Sequence, residues 1–290
     1  MFDVLIQLTV TGLAMGAVYA LMAMGLLLLI RAAGLLNFAQ GEIFMLGAYL
    51  GWMLTYQMNL PLPGIWIGLI LLLAGFAVAY MFTVYWPLRA TTWPTALTIC
   101  SMGASTIIRE AVQLLWGPIP LYTDPMIDGF LTIGSAYLAY QYLLTIAAAA
   151  ILIAAVFLLF EKLYVGRIMQ AAAQNKYVSE IIGIPTLITT MATYIIVMII
   201  SGSGGYLIAP AFYTTINLGL FQGKAFAGVV IGGWGSLKGA VIGALIVGLI
   251  ESYSTMITTT YKDSIIFLVL LIMLIVRPQG IFKERVSDKA

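Results

Sequence analysis

The chain has 290 residues, 62% of them hydrophobic and only 8% charged, with a net charge of +2 and a mean hydropathy of +1.07. A soluble core does not need so much apolar surface, and no basic cluster offers nucleic acid a footing. With one cysteine and no histidine, an intramolecular disulfide and the usual zinc sites are also excluded, and Cys100 reads as a small core residue.

A bilayer about 30 Å thick is crossed by roughly 20 helical residues, and lipid leaves unpaired backbone groups unsatisfied, so the repeated apolar runs imply helices. The strand-length alternation of a membrane barrel is not the pattern. The expected fold is therefore an all-α polytopic membrane bundle of eight or nine crossings in a single domain, 1–290. The first run, Val4 to Ile30, carries Asp3 and no basic start and is too long for a secretory signal, so it is read as a retained span.

The next span, Asn37 to Tyr56, opens with the polar stretch "LLNFAQGE". Asn37 is placed to cap this helix and Gln40 to return the bond, while Glu42 falls in the first turn, where the helix dipole favours a carboxylate. Arg31 is its nearest partner in sequence. An ionisable residue in a membrane also raises the case for a substrate role, and a gate element satisfies both readings.

Spans follow at Gly64 to Trp86 and Thr95 to Trp116. In the second of these, Thr98, Ser101, Ser105, Arg109 and Gln113 recur every three or four residues and share one helical face. Such a stripe faces water, as in a substrate pathway, or packs against another helix. The next span is read as Phe130 to Phe160. The loop Glu161 to Pro185 combines helix-forming alanines with Ile168, Val178, Ile181 and Ile182, fitting short helices on the membrane face as well as a solvated connector.

Pro185 to Ile208 is a further span, with the short stripe Thr186, Thr190 and Thr193. Leu218 to Leu237 and Gly239 to Ile257 are rich in glycine, and Gly232, Gly233 and Gly235 around Trp234 suit a turn, a broken or re-entrant helix, or a gate. Glycines four apart, such as Gly12 and Gly16 or Gly228 and Gly232, allow close helix packing. Ser264 to Val276 is the last span. Arg31, Arg89, Lys162, Arg167, Lys176, Arg277, Lys283, Arg285 and Lys289 mark one side as cytoplasmic, which puts the N-terminus outside and the C-terminus inside, an odd number of crossings. Lys224 and Lys262 fit that scheme poorly.

The segment "GRIMQAAAQNKYVSEIIGIP" resembles the cytoplasmic coupling segment of ABC importer permeases, and "LLNFAQGEIFMLGAY", "VVIGGWGSLKGAVIGALIVGLIE" and "RPQGIF" resemble signatures of the branched-chain amino-acid permease family, in the same order along the chain. Two departures are visible: Gln40 stands where the family usually has histidine, and Gln170, Ala171 and Ala172 replace a glutamate-alanine-alanine opening. The resemblance implies a subunit of an inner-membrane, ATP-driven importer that pairs with a homologous permease, docks two ATPase subunits and receives substrate from an extracytoplasmic binding protein. It also implies that Gly166, Arg167, Ala172, Asn175, Gly183 and Ile184 contact the ATPases. ATP and magnesium would then bind the partners. The nearest approach to a phosphate loop, Gly219 to Lys224, is followed by Ala225, which has no hydroxyl for magnesium, so no cofactor is expected on this chain and it is not read as an enzyme. The implied cargo is a branched-chain or related apolar amino acid, with urea or amides as alternatives within the superfamily. An ion-coupled secondary transporter is the rival from another class, and it would use Glu42, Glu110 or Glu251.

Overall fold

The computed structural model describes residues 2–33, 36–89, 93, 95–174 and 176–282. Helix α1, Phe2–Ala33, is apolar around its whole circumference, as suits a helix with protein on every side. From Ala14 to Leu29 it is buried almost without interruption and forms the axis of the bundle.

Around it stand α2 (Gln40–Trp52, extended by a π-helical turn Met53–Gln57), α3 (Leu62–Tyr80, continued to Leu88 by π and 3-10 turns), α4 (Ala96–Trp116) and α5 (Tyr140–Glu161). Two short helices follow, α6 (Tyr164–Gln174) and α7 (Lys176–Ile181), then α8 (Thr186–Phe212), α9 (Phe221–Gly232), α10 (Leu237–Ser254) and α11 (Lys262–Val276). Helices α1, α3, α5, α8 and α10 are long and apolar enough to cross a membrane. Outward-facing Leu71, Ile107, Ile151 and Ile275 give the bundle an apolar girdle.

Contacts fix the direction of each length. Asp3 accepts a hydrogen bond from the Ser135 hydroxyl at 2.5 Å, so α1 starts beside the 130–139 segment, and Arg31 at its far end donates to the Gly235 carbonyl. Tyr56, at the end of α2, bonds Asp124 at 2.6 Å, and Thr214, after α8, pairs with Leu121, so these points share the Ser135 end. The other end carries Arg31, Arg89, Lys162, Arg167, Lys238 and Arg277 and is called the basic end. Among the described residues nine helical lengths, α1 to α5 and α8 to α11, alternate in direction, although α9, with 12 residues, is too short to reach from end to end. Helices α1 and α10 are antiparallel and nearly in backbone contact, because Gly12 and Gly16 lie against Gly248 with no room for a Cβ on that face.

One expectation is corrected and another is met. Phe130 does not begin a span: Phe130–Ile133 (β1) and Ala136–Ala139 (β2) form an antiparallel hairpin, and α5 starts at Tyr140. The two-residue Gly134-Ser135 link, with Gly134 at φ 65°, is a hairpin signal that the apolar content of the flanks concealed. The break expected around Gly232, Gly233 and Gly235 is present within Leu218 to Leu237. A 3-10 turn, Ile216–Leu220, leads into α9, which stops at Gly232; Gly233, at φ 119°, then turns the chain into α10. That turn is covered by the end of the described chain, where Ile281 and Phe282 donate backbone hydrogen bonds to Ile231 and Gly232.

Candidate functional site: a polar cluster inside the apolar bundle

The stretch Asn37 to Glu42 lies inside the bundle, gripped from several sides. Asn37 does not cap α2 in the expected way: its Oδ1 accepts from the Ala39 N–H at 3.0 Å and from the Tyr80 hydroxyl of α3 at 2.8 Å, while the N-cap position is Ala39, without a side-chain bond. Gln40 does not reach back to Asn37; its amide donates to Ser201 of α8. The pairing of Glu42 with Arg31 is also corrected. Arg31 is bonded to Gly235 at the basic end, whereas the Glu42 carboxylate faces Ser105 and Arg109 of α4. Sequence proximity misled here because α1 runs past the cluster before the chain turns back into it.

The motif and the middle of the α4 stripe, read separately in the sequence, therefore lie against one another. Ser101 accepts from the Phe38 N–H at 3.1 Å and donates to the Thr98 carbonyl at 2.7 Å. Gln113 lies farther along, its carbonyl taking the Gly117 N–H at the end of α4. Gln222 of α9 closes the opposite side: its Oε1 accepts from the Gly41 N–H at 2.7 Å and its Nε2 donates to the Asn37 carbonyl at 3.0 Å. Even so, Asn37 Nδ2, Gln40 Oε1 and Glu42 Oε2 are buried without a protein hydrogen-bond partner. Each such group costs about 1–3 kcal/mol when nothing satisfies it, so these three atoms are open to a water, a polar ligand or a rearranged side chain.

Tyr80, Ser201 and Gln222 were missed in the sequence. The signals were there, since Ser201 opens a small-residue stretch inside an apolar run and Gln222 follows one, but neither has a periodic companion that reveals its direction. Also missed was a second polar system. Glu251 of α10 accepts from the Tyr19 hydroxyl at 2.6 Å and pairs with Lys224 at 2.6 Å and Lys262 at 3.2 Å; Lys224 also pairs with Asp263 at 2.8 Å. Lys224 and Glu251 are both buried. Lys224 is thus an internal ion-pair partner of α9 and not a marker of the cytoplasmic side, which removes its conflict with the other basic residues.

Gly232, Gly233 and Gly235 lie away from this cluster, at the basic end, in the turn between α9 and α10. The segment 161–185 folds as the short helices α6 and α7 at the same end. Gly166 is wedged against Leu159 and Phe160 of α5, Gln170 donates to the Phe160 carbonyl at 2.8 Å, and Ala172 is buried. Ser179 ties α7 to the Ala171 carbonyl at 3.1 Å, and Gly183, at φ 85°, lets the chain turn toward α8, with Ile184 half-buried beside it. Arg167 is exposed, and Ile181 and Ile182 are about two-thirds exposed at 68% and 67%. Asn175, with Lys283, Arg285 and Lys289, lies outside the described residues.

The family model for the branched-chain amino acid transport system / permease component matches residues 8–274. The high-affinity branched-chain amino acid transport system permease protein LivH of Escherichia coli K12 is 31% identical over 98% of this chain and 97% of its own length, and its counterpart in Salmonella typhimurium LT2 is equally similar. BraD of Pseudomonas aeruginosa, which bears the same description, is 27% identical over the same shares. Among solved structures, a chain of PsaBC from Streptococcus pneumoniae in complex with Fab matches with a TM-score of 0.50 and 15% identity, covering 96% of this chain and 92% of that one, a likeness of fold.

Proposed function

The chain belongs to the family of permease components of branched-chain amino acid transport systems, and from that premise we propose that it forms half of the translocation path of an ATP-driven importer of branched-chain or related apolar amino acids. It is a multi-pass membrane protein. The other half of the path would be a second, homologous permease, with two ATPase subunits on the α6–α7 hairpin and an extracytoplasmic binding protein delivering substrate. Transport would proceed by alternating access.

The observation that carries this reading is the Asn37–Glu42 cluster: polar groups from α2, α4, α8 and α9 converge within an apolar bundle, and three of their atoms remain unpaired. A purely structural cluster has no reason to keep orphans, whereas a gate that rearranges does. The paired state of Glu251 speaks against the ion-coupled rival at that position, since Tyr19, Lys224 and Lys262 already neutralise it. The basic end carries the hairpin and Arg31, Arg89, Lys162, Arg167, Lys238 and Arg277, which supports a cytoplasmic basic end, an N-terminus outside and a C-terminus inside.

The test is reconstitution in liposomes. The permease with its ATPases and binding protein takes up labelled L-leucine only with ATP, and the lone chain neither hydrolyses ATP nor accumulates leucine. Uphill uptake by the lone chain under a sodium or proton gradient would overturn the reading.

A further inference from the structure

At the basic end, between the end of α3, α7 and the start of α8, lies a cavity of about 470 Å³ lined by Tyr85, Trp86, Arg89, Glu180, Thr186 and Thr190, with Leu187. Its size falls within the roughly 300–1,000 Å³ of small-molecule sites. One wall is aromatic and aliphatic. The Arg89 guanidinium lies over the Trp86 ring, and Glu180, from α7, accepts a hydrogen bond from the Thr186 hydroxyl at 2.6 Å. Among the described residues no ion pair joins Arg89 to Glu180, so the cavity offers a separate cation and anion. The buried hydroxyl-bearing residue Thr190 is a third polar contributor.

A ligand complementary to that lining has one carboxylate, one ammonium group and an apolar side chain. Fixed in this cavity, it would bridge α7 of the coupling hairpin to α3 and α8. It would also touch the first member of a tyrosine stack. Tyr85 packs on Tyr194 at 5.7 Å between ring centroids, Tyr194 on Tyr80 at 6.0 Å, and Tyr80 donates its hydroxyl hydrogen to Asn37 of the central cluster.

We propose that this cavity binds a zwitterionic apolar amino acid from the basic, cytoplasmic end, with its carboxylate on Arg89 and its ammonium on Glu180, and that occupancy by accumulated product slows transport. The proposal rests on the importer reading above. An anionic lipid headgroup would satisfy Arg89 and Trp86 but would be repelled by Glu180.

The complete transporter, reconstituted in liposomes of neutral lipid with ATP in the lumen, tests it. The initial rate of labelled leucine uptake should fall as lumenal L-leucine rises, and should not respond to lumenal 4-methylpentanoate or isopentylamine, which each lack one of the two charges. Arg89→Gln should keep the uptake rate at zero lumenal leucine, and Arg89→Gln and Glu180→Gln should each raise the half-inhibitory leucine concentration, measured against the variant's own uninhibited rate, by about tenfold or more, the scale of one lost charge-assisted contact. Insensitivity of the wild type to lumenal leucine, unchanged inhibition in both variants, or inhibition that appears only with anionic lipid would overturn the site. Absence of ATP-driven uptake without lumenal leucine would instead sink the importer reading. In that event calorimetry of the purified complex with L-leucine decides the site: binding abolished by Arg89→Gln supports it, and binding unaltered by that change overturns it.

Discussion

Gly219 lies against the Glu42 carboxylate so closely that a Cβ at position 219 would stand 2.8 Å from both carboxylate oxygens. A residue far along the chain, in the turn before α9, thus sets how far the acid of the central cluster extends toward Ser105 and Arg109 of α4.

Gly219→Ala tests that relationship. The added methyl meets the far end of a side chain, so the fold should persist at a cost of about 1–3 kcal/mol. Transport should fall steeply, because the carboxylate must leave its place. Glu42→Asp, shorter by one methylene, should restore part of the activity in the double variant. Full activity of Gly219→Ala, measured as ATP-driven leucine uptake, would show that the position of this carboxylate is unimportant.

The ion network gives a prediction of unequal effects. Glu251→Leu leaves buried Lys224 with only the exposed Asp263, whereas Lys224→Met leaves Glu251 with Lys262 and Tyr19. Stranding a buried charge costs about 3–5 kcal/mol, so Glu251→Leu should lower the melting temperature in detergent more than Lys224→Met does. The double variant should recover part of the loss. Equal losses, simply additive in the double variant, would mean that the pair is not coupled.

Accessibility separates the faces of α4. With Cys100 replaced by Ala, a cysteine at Ser105 should react with a small water-soluble thiol reagent in one nucleotide state more than in the other, since alternating access opens the path to one side at a time. Cysteines at Met102 and Ile107 should stay unreactive in both states, because these residues, at 53% and 71% exposed, belong to the apolar girdle. A cysteine at Ser101 should react more slowly than one at Ser105, since Ser101 is buried and engaged by the Phe38 N–H. Protection of Ser105→Cys in every state would assign the stripe to helix packing.

How much of this was legible depended on the range of the interaction. Helices α1, α3, α5 and α8 announce themselves by uninterrupted apolar runs, and the α4 stripe by its period, because both are local properties. The convergence of Ser105 with Glu42, of Gln40 with Ser201 and of Lys224 with Glu251 joins distant parts of the chain, and no spacing rule encodes it. The hairpin at Gly134-Ser135 failed for a different reason: apolar flanks carried the helix reading past a turn signal that was present. Glycines were legible as close contacts and, at Gly232 to Gly235, as a turn, but their partners were not. Gly12 and Gly16 do pack against another helix, but that the partner is Gly248 follows only from the fold.

The α6–α7 segment supplies the last prediction, and its burial changes which residue should be probed for ATPase docking. Ala172 is 5% exposed and Gly166 has no room for a Cβ against α5, so both hold the hairpin to the membrane helices and present little to a partner. Ile181 and Ile182, by contrast, are exposed next to the Gly183 turn. Exposed apolar side chains at the basic end are suited to a protein partner, because truncating a buried interface anchor typically costs more than about 1 kcal/mol in binding. Aspartate at either position should therefore leave the purified chain's melting temperature unchanged while preventing co-purification of the ATPases. Ala172→Asp should do the reverse first, placing a carboxylate in a packed site and loosening the hairpin, so that proteolysis between α5 and α8 accelerates even in the isolated chain. If Ile181→Asp and Ile182→Asp assemble and transport normally, the ATPases dock elsewhere on the basic end and the hairpin is a connector.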